Sequence, residues 1–222
     1  MKYELIIFDL DGTLANTAPD LLGTLNKIIQ PYNLSKMGMC EFGQIIGHGA
    51  KAMIKRAFEL NEKPLEDETL ELLFKEFLAH YSANIANETT LYEGVLDAMD
   101  ELKKHGFEFA LCTNKTESMA RLLLKELGVT NRFKSITGGD TFEFKKPDAR
   151  HLIKTAQLAR HEISKAIMIG DSATDINAAI NAKIPSVAVT FGYSDAPIET
   201  LGATETISHF KNLPRAIESI SQ

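Results

Sequence analysis

Cysteine is scarce: Cys40 and Cys112 stand far apart in a chain of 222 residues. Two such residues make neither a disulfide framework nor a CxxC site, so a reducing compartment is expected. Long apolar runs are missing as well. The stretch "MKYELIIFDLD" offers one early lysine and a short apolar run before an acid interrupts it. That is too short for the apolar part of a signal peptide and far short of a membrane span. A cytoplasmic chain with no membrane partner is therefore expected. Basic excess is also lacking, the formal net charge being −6, which argues against a broad nucleic-acid surface. The six histidines show no close ligand spacing, so no zinc site is read. Internal repeats and low-complexity segments are absent from the sequence.

What is present is enough apolar material, 44% of residues, to bury a core without disulfides. The length suits one large domain, or a core with a smaller appendage. Short branched runs at 4–8, 107–112, 165–169 and 184–190 read as strands buried on both faces. Helical spacing appears between and after them, at 94–106, 117–128, 173–182 and 212–220. Two of these helices stop at Gly106 and Gly128, where a left-handed cap is expected. Strand and helix in alternation predict an α/β fold, a doubly wound parallel sheet with helices on both faces. The stretch 16–85 breaks the rhythm and reads as helices at 18–30, 50–60 and 67–84. The expected organisation is a discontinuous core, 1–15 and 86–222, with a helical cap at 16–85. The acids Glu66, Asp67, Glu68 and Glu71 follow Pro64 at a helix start, where the helix dipole accounts for them.

Ligands of doubly wound sheets bind beyond the carboxyl ends of the strands. The first strand ends in Asp9-Leu-Asp11-Gly12-Thr13, the second in Thr113-Asn114, and a third in Gly170-Asp171-Ser172, with Asp175 four residues on. "FKKPD" at 144–148 adds Lys145 and Lys146. Each alone has a plain account: a turn, a helix cap, a solvated loop, another turn. Independent turns have no reason to gather at one sheet edge. Clustered acids repel one another unless a cation joins them, and an oxygen-liganded divalent ion such as Mg²⁺ with a lysine would resolve the repulsion.

"DLDGTLANT", "LCTNK", "KKPD" and "GDSATD", in this order, resemble the four motifs of the haloacid dehalogenase superfamily of phosphohydrolases. The similarity spans almost the whole chain, a helical cap after the first motif included. Within the superfamily, the stretches from Leu91 to Lys115, Ile136 to Asp148 and Met168 to Ser194 are most similar to bacterial phosphoglycolate phosphatases. Ala149 departs from a frequent Lys-Pro-x-Pro, and His48 stands where relatives more often carry asparagine.

The resemblance implies that Asp9 attacks phosphorus, that Asp11 handles the proton of the leaving oxygen and then of water, and that Lys146 neutralises charge on Asp9 and phosphate. It implies that the Thr113 hydroxyl and the Asn114 main-chain amide hold a phosphoryl oxygen. Mg²⁺ is expected on the Asp9 and Asp171 carboxylates and the Asp11 main-chain carbonyl. Asp175 is expected one shell behind, a helix-dipole partner being the other account. Gly47-His48-Gly49 opens a helix near Lys51 and Arg56; it suits either an anion site for a substrate carboxylate or a simple turn. "TFGYSD" (190–195) either borders the site or serves packing. The implied activity is Mg²⁺-dependent hydrolysis of a small phosphorylated metabolite, 2-phosphoglycolate first. The alternatives are another sugar-phosphate or nucleotide phosphatase, a phosphoglucomutase, or a module that binds without turnover. A monomer or a homodimer is expected, with no nucleic-acid partner.

Overall fold

Leu5–Phe8 (β1) is a run of four apolar residues, all fully buried. Only a central strand covered on both faces removes four successive side chains from water, since alternate residues point to opposite faces. Each contributes on the order of 2 kcal/mol by burial. The strand pairs in parallel with Glu108–Cys112 (β4) on one side and Ala166–Gly170 (β6) on the other, Leu5 standing opposite Glu108 and Ala166. With Ser135–Thr137 (β5), Ser186–Val189 (β7) and Glu205–Ile207 (β8), the sheet has six parallel strands in the order β5-β4-β1-β6-β7-β8. The computed structural model describes residues 2–43, 45–194 and 196–222, residue 48 by its backbone alone.

Two faces follow from the alternation. Leu5 and Ile7 join Ala110, Cys112, Ala166 and Met168 in a cluster with Ala149–Leu158 (α7) and Ala173–Ala182 (α8). Ala178 and Ala179 keep α8 close to the sheet. Phe8 meets Phe109 and Phe210, and behind them pack Val95–Lys104 (α5) and Leu213–Ser221 (α9). In α5 the buried set is Val95, Ala98, Met99 and Leu102, one helical stripe. Glu117–Glu126 (α6) lies beside β5. Both α5 and α6 stop ahead of a positive-φ glycine, Gly106 (φ 88°) and Gly128 (φ 72°).

The chain divides into two units, Met1–Asn16 with Thr90–Gln222, and Thr17–Thr89. The sheet lies in the first, where Ala15–Asn16 (β2) also pairs antiparallel with Thr90–Leu91 (β3). The second shows no strand among its described residues. It consists of Ala18–Ile29 (α1), Met39–Gly43 (α2), Ala50–Leu60 (α3) and Asp67–Ala83 (α4). Leu25, Ile54, Phe58, Leu73 and Phe77 are buried there. The buried Asp20 carboxylate accepts the N–H groups of Glu88 and Thr89 and the Thr89 hydroxyl, joining the two ends of this unit. No described helix is long and apolar enough to cross a membrane.

Candidate active site

The strand order reverses between β1 and β6, so the crevice of this sheet opens beyond their carboxyl ends. Asp9 and Asp11 follow β1 directly, and Asp171 follows β6. The loop after β5 brings Lys146 to the same place, 3% exposed. Its Nζ lies 2.6 Å from Asp9 Oδ1 and 2.5 Å from Asp175 Oδ1. The main chain of Lys146 is held at both ends. Its N–H donates to His151 Nδ1 at 3.3 Å, and its carbonyl accepts the Asn114 side-chain amide at 3.0 Å.

Asp175 serves two masters in the first turn of α8. One carboxylate oxygen pairs with Lys146, while the other accepts the Ser172 N–H (3.1 Å) and hydroxyl (2.7 Å). Asp171 is held as firmly: Thr13 Oγ1 donates to Oδ1 at 2.9 Å, and the Tyr193 N–H donates to Oδ2 at 2.7 Å. The approach is so close that Gly12, at φ 81°, has no room for a side chain. An added Cβ would lie 2.7 Å from the Tyr193 ring and 2.9 Å from Asp171 Cγ. The Tyr193 hydroxyl donates to Asn16 Oδ1, also at 2.7 Å.

Carboxylate oxygens of Asp9, Asp171 and Asp175 lie within 4.8 Å of one another, all buried. Three acids face one ammonium. Burial, with the Asp175 and Asp11 charges adding and Lys146 opposing, pushes Asp9 up to about 7. Asp171 rises well above its ordinary range through burial and the charges of Asp175 and Asp9. Burial alone would lower Lys146, but the two carboxylates carry it above the usual range and keep it charged. This donor set, hard oxygens with uncompensated negative charge, fits a divalent cation such as Mg²⁺.

Asp11 stands slightly apart from the cluster. Its carboxylate, 22% exposed, receives Lys115 Nζ at 2.9 and 3.2 Å. Thr113 is buried, its N–H bonded to the Thr137 carbonyl and its Oγ1 accepting the Lys115 N–H. Asp9, Asp11, Thr113, Asn114, Lys146, Asp171 and Asp175 thus belong to one unit: Asn114, Lys146, Asp9, Asp175 and Asp171 gather in one group, and Asp11 joins Thr113 through Lys115 in another. Gly47 and Gly49 belong to the other unit, where Gly49 (φ 89°) immediately precedes α3. The side chain of residue 48 lies outside what is described. Lys51 pairs with Glu71 in that unit, and Arg56 with Glu59.

Four residues here have structural duties beyond those read from the sequence: Thr13 and Tyr193 on Asp171, His151 on Lys146, and Lys115 on Asp11; through Tyr193 the stretch 190–194 borders the site. Thr13 and Lys115 sit inside the quoted motifs, which was the available signal. His151 carried none, since a histidine within a helix gives no pattern. Asp195, the last residue of "TFGYSD", lies outside the described residues.

Residues 6–189 match the family described as haloacid dehalogenase-like hydrolase. The chain is 44% identical over 213 residues to the phosphoglycolate phosphatase of Agrobacterium fabrum, covering 96% of this chain and 91% of that one. It is 43% identical over 213 residues to the phosphoglycolate phosphatase of Mesorhizobium japonicum, covering 96% and 94%. A crystal structure of a predicted phosphoglycolate phosphatase from Haemophilus somnus 129pt superposes with a TM-score of 0.91 at 27% identity, over 98% of this chain and 99% of the other.

Proposed function

This chain belongs to the haloacid dehalogenase-like hydrolases, and from that premise we propose that it hydrolyses 2-phosphoglycolate to glycolate and phosphate through an aspartyl-phosphate on Asp9. One observation carries the mechanism: Asp9 stands at the switch point with Lys146 on one oxygen and two further buried acids beside it. In the first half-reaction an Asp9 oxygen bonds to phosphorus as the ester oxygen departs, and Asp11 gives that oxygen its proton. In the second, Asp11 takes a proton from water, the water oxygen bonds to phosphorus, and Asp9 is released. Thr113 Oγ1 and the Asn114 main-chain amide would hold a phosphoryl oxygen, and Lys146 would offset the charge gathering between Asp9 and the phosphoryl group.

Mg²⁺ would be held by the Asp9 and Asp171 carboxylates and the Asp11 main-chain carbonyl. Asp175, with both oxygens committed to Lys146 and Ser172, stands behind them. When bound, the ion supplies positive charge to the phosphoryl oxygens. The main-chain amides of 47–49 remain our candidate anion ligands in the helical unit. Two unpaired cysteines accord with work in the cytoplasm. The test is a screen of small phosphomonoesters with and without EDTA. A preference for 2-phosphoglycolate that disappears on chelation supports the reading, whereas full activity after chelation, or a stronger preference for a sugar phosphate, overturns it.

A further inference from the structure

Each acid of the first loop has its own lysine. Lys146 bridges Asp9 to Asp175 on the phosphoryl side, whereas Lys115 pairs with Asp11. Lys115 is placed, not loosely tethered. Its N–H is bonded to Thr113 Oγ1 at 3.2 Å, its carbonyl accepts the Gly139 N–H at 2.8 Å, and its side chain is 9% exposed. An ammonium carries three donors, and Lys146 shows that this site lets one ammonium join two carboxylates.

The geometry of the leaving group then becomes informative. An acid that protonates the ester oxygen must come within roughly 2.6–3.2 Å of it. Lys115 Nζ lies 2.9 Å from that acid, which puts the ammonium two hydrogen-bond lengths or less from the leaving oxygen and within reach of a group that this oxygen carries. In 2-phosphoglycolate that oxygen bears a CH2 and then a carboxylate, whose oxygens lie roughly 3 Å from it by ordinary bond lengths. An ester without that second anion offers Lys115 nothing.

We propose that Lys115 determines specificity by receiving the carboxylate of the leaving group, joining it to Asp11 as Lys146 joins Asp9 to Asp175. This deepens the substrate reading above and rests on it. Recognition at this lysine reports on the part of the substrate that departs, so it favours phosphomonoesters of short 2-hydroxy acids as a chemical class.

The experiment compares kcat/KM for 2-phosphoglycolate with that for 2-hydroxyethyl phosphate, in which CH2OH replaces the carboxylate. Wild type, Lys115→Met, Lys115→Gln and Lys115→Arg are measured, with folding checked by thermal unfolding. Whatever a variant loses through Asp11, or through a smaller folded fraction, is common to both substrates and cancels in the ratio. The preference for 2-phosphoglycolate should fall by about 10-fold or more in the Met and Gln variants, chiefly through KM. Arginine, which still binds carboxylates, should keep most of it. An equal loss on both substrates would overturn the inference and leave Lys115 as a support for Asp11 alone. A wild-type preference that survives in Lys115→Met would overturn it too, without touching the substrate reading. Wild type that prefers 2-hydroxyethyl phosphate would overturn both.

Discussion

At the scale of single residues, Asp9 and Lys146 form the decisive pair. Asp9→Asn keeps the shape and removes only the attacking charge. Turnover of every phosphomonoester should therefore fall by at least about 10³-fold, with binding of inorganic phosphate retained. Activity within a few-fold of wild type would remove Asp9 from the nucleophile role. His151 supports Lys146 from behind and gives a second expectation. Burial and the nearby Lys146 charge lower its pKa to about 4, and its Nδ1 must stay unprotonated to accept the Lys146 N–H. The folded state therefore resists a proton that the unfolded chain takes up near pH 6.5. The contribution is complete above that pH and is lost as pH falls from about 6.5 to 4, on the order of 3 kcal/mol at the bottom. His151→Gln keeps an acceptor without the titration, so its unfolding free energy should vary less over that window than wild type. Identical pH profiles would show that His151 is not the source of this pH dependence. Asp9, Asp11, Lys146 and Asp171 were legible because each follows a strand end or precedes a proline inside a recognisable motif. The bond of Thr13 to Asp171 links positions remote in sequence, and that of His151 to Lys146 spans five residues across a loop and a helix start, so no regular period encodes either.

Elements were legible where a period ran long enough to show. The central strands β1, β4 and β6 announce themselves as branched runs, and α5 by its stripe of Val95, Ala98, Met99 and Leu102. The edge strands β5 and β8 have three residues each, too few for a pattern. Helix α7 escaped notice because its buried face is His151, Leu152, Thr155 and Ala156, half of it polar. Those polar groups are committed inside: the Thr155 hydroxyl reaches the His151 carbonyl at 2.7 Å, and Thr137 Oγ1 lies 2.6 Å from Thr155 Oγ1. In the helical unit, Gly49 at φ 89° and ψ 165° occupies a region that only glycine adopts at ease, although an added Cβ would meet nothing within 4 Å. Strain, not crowding, is therefore the cost of a side chain there. Gly49→Ala should destabilise this unit by about 1–3 kcal/mol with or without substrate. Gly47 has no positive φ and equal room, so Gly47→Ala should leave stability close to wild type. A fall in kcat/KM for 2-phosphoglycolate confined to Gly47→Ala would identify an amide that approaches an anion. Urea unfolding of both variants separates the two effects, and equal stability losses would refute the strain argument.

On the scale of the whole molecule, the largest unresolved electrostatic demand is the excess of buried negative charge at the sheet edge. Among the described residues Lys146 is the cation paired with this group, and it reaches Asp9 and Asp175 but is not paired with Asp171; burial first, and then the mutual repulsion, raises the pKa values of Asp9 and Asp171. A bound divalent ion relieves this repulsion only in the folded state, so it must stabilise the fold by mass action. At a hundred times its dissociation constant, Mg²⁺ should add about 2.7 kcal/mol. For a chain of this size that corresponds to a rise in Tm of roughly 5–10 °C over the EDTA-treated protein. Asp171→Asn separates relief of repulsion from metal binding, because it removes one buried charge and one metal ligand together. In EDTA the variant should melt above wild type; in Mg²⁺ it should melt below wild type and respond little to the ion. Ca²⁺ should also raise the wild-type Tm while inhibiting hydrolysis, since its larger shell at longer distances disturbs the line of attack from Asp9. This crossing of the two Tm values is a property of the folded protein and needs no substrate. A wild-type Tm indifferent to Mg²⁺, or an Asp171→Asn variant that melts lower than wild type under both conditions, would mean that the carboxylates are stabilised by something other than a metal ion.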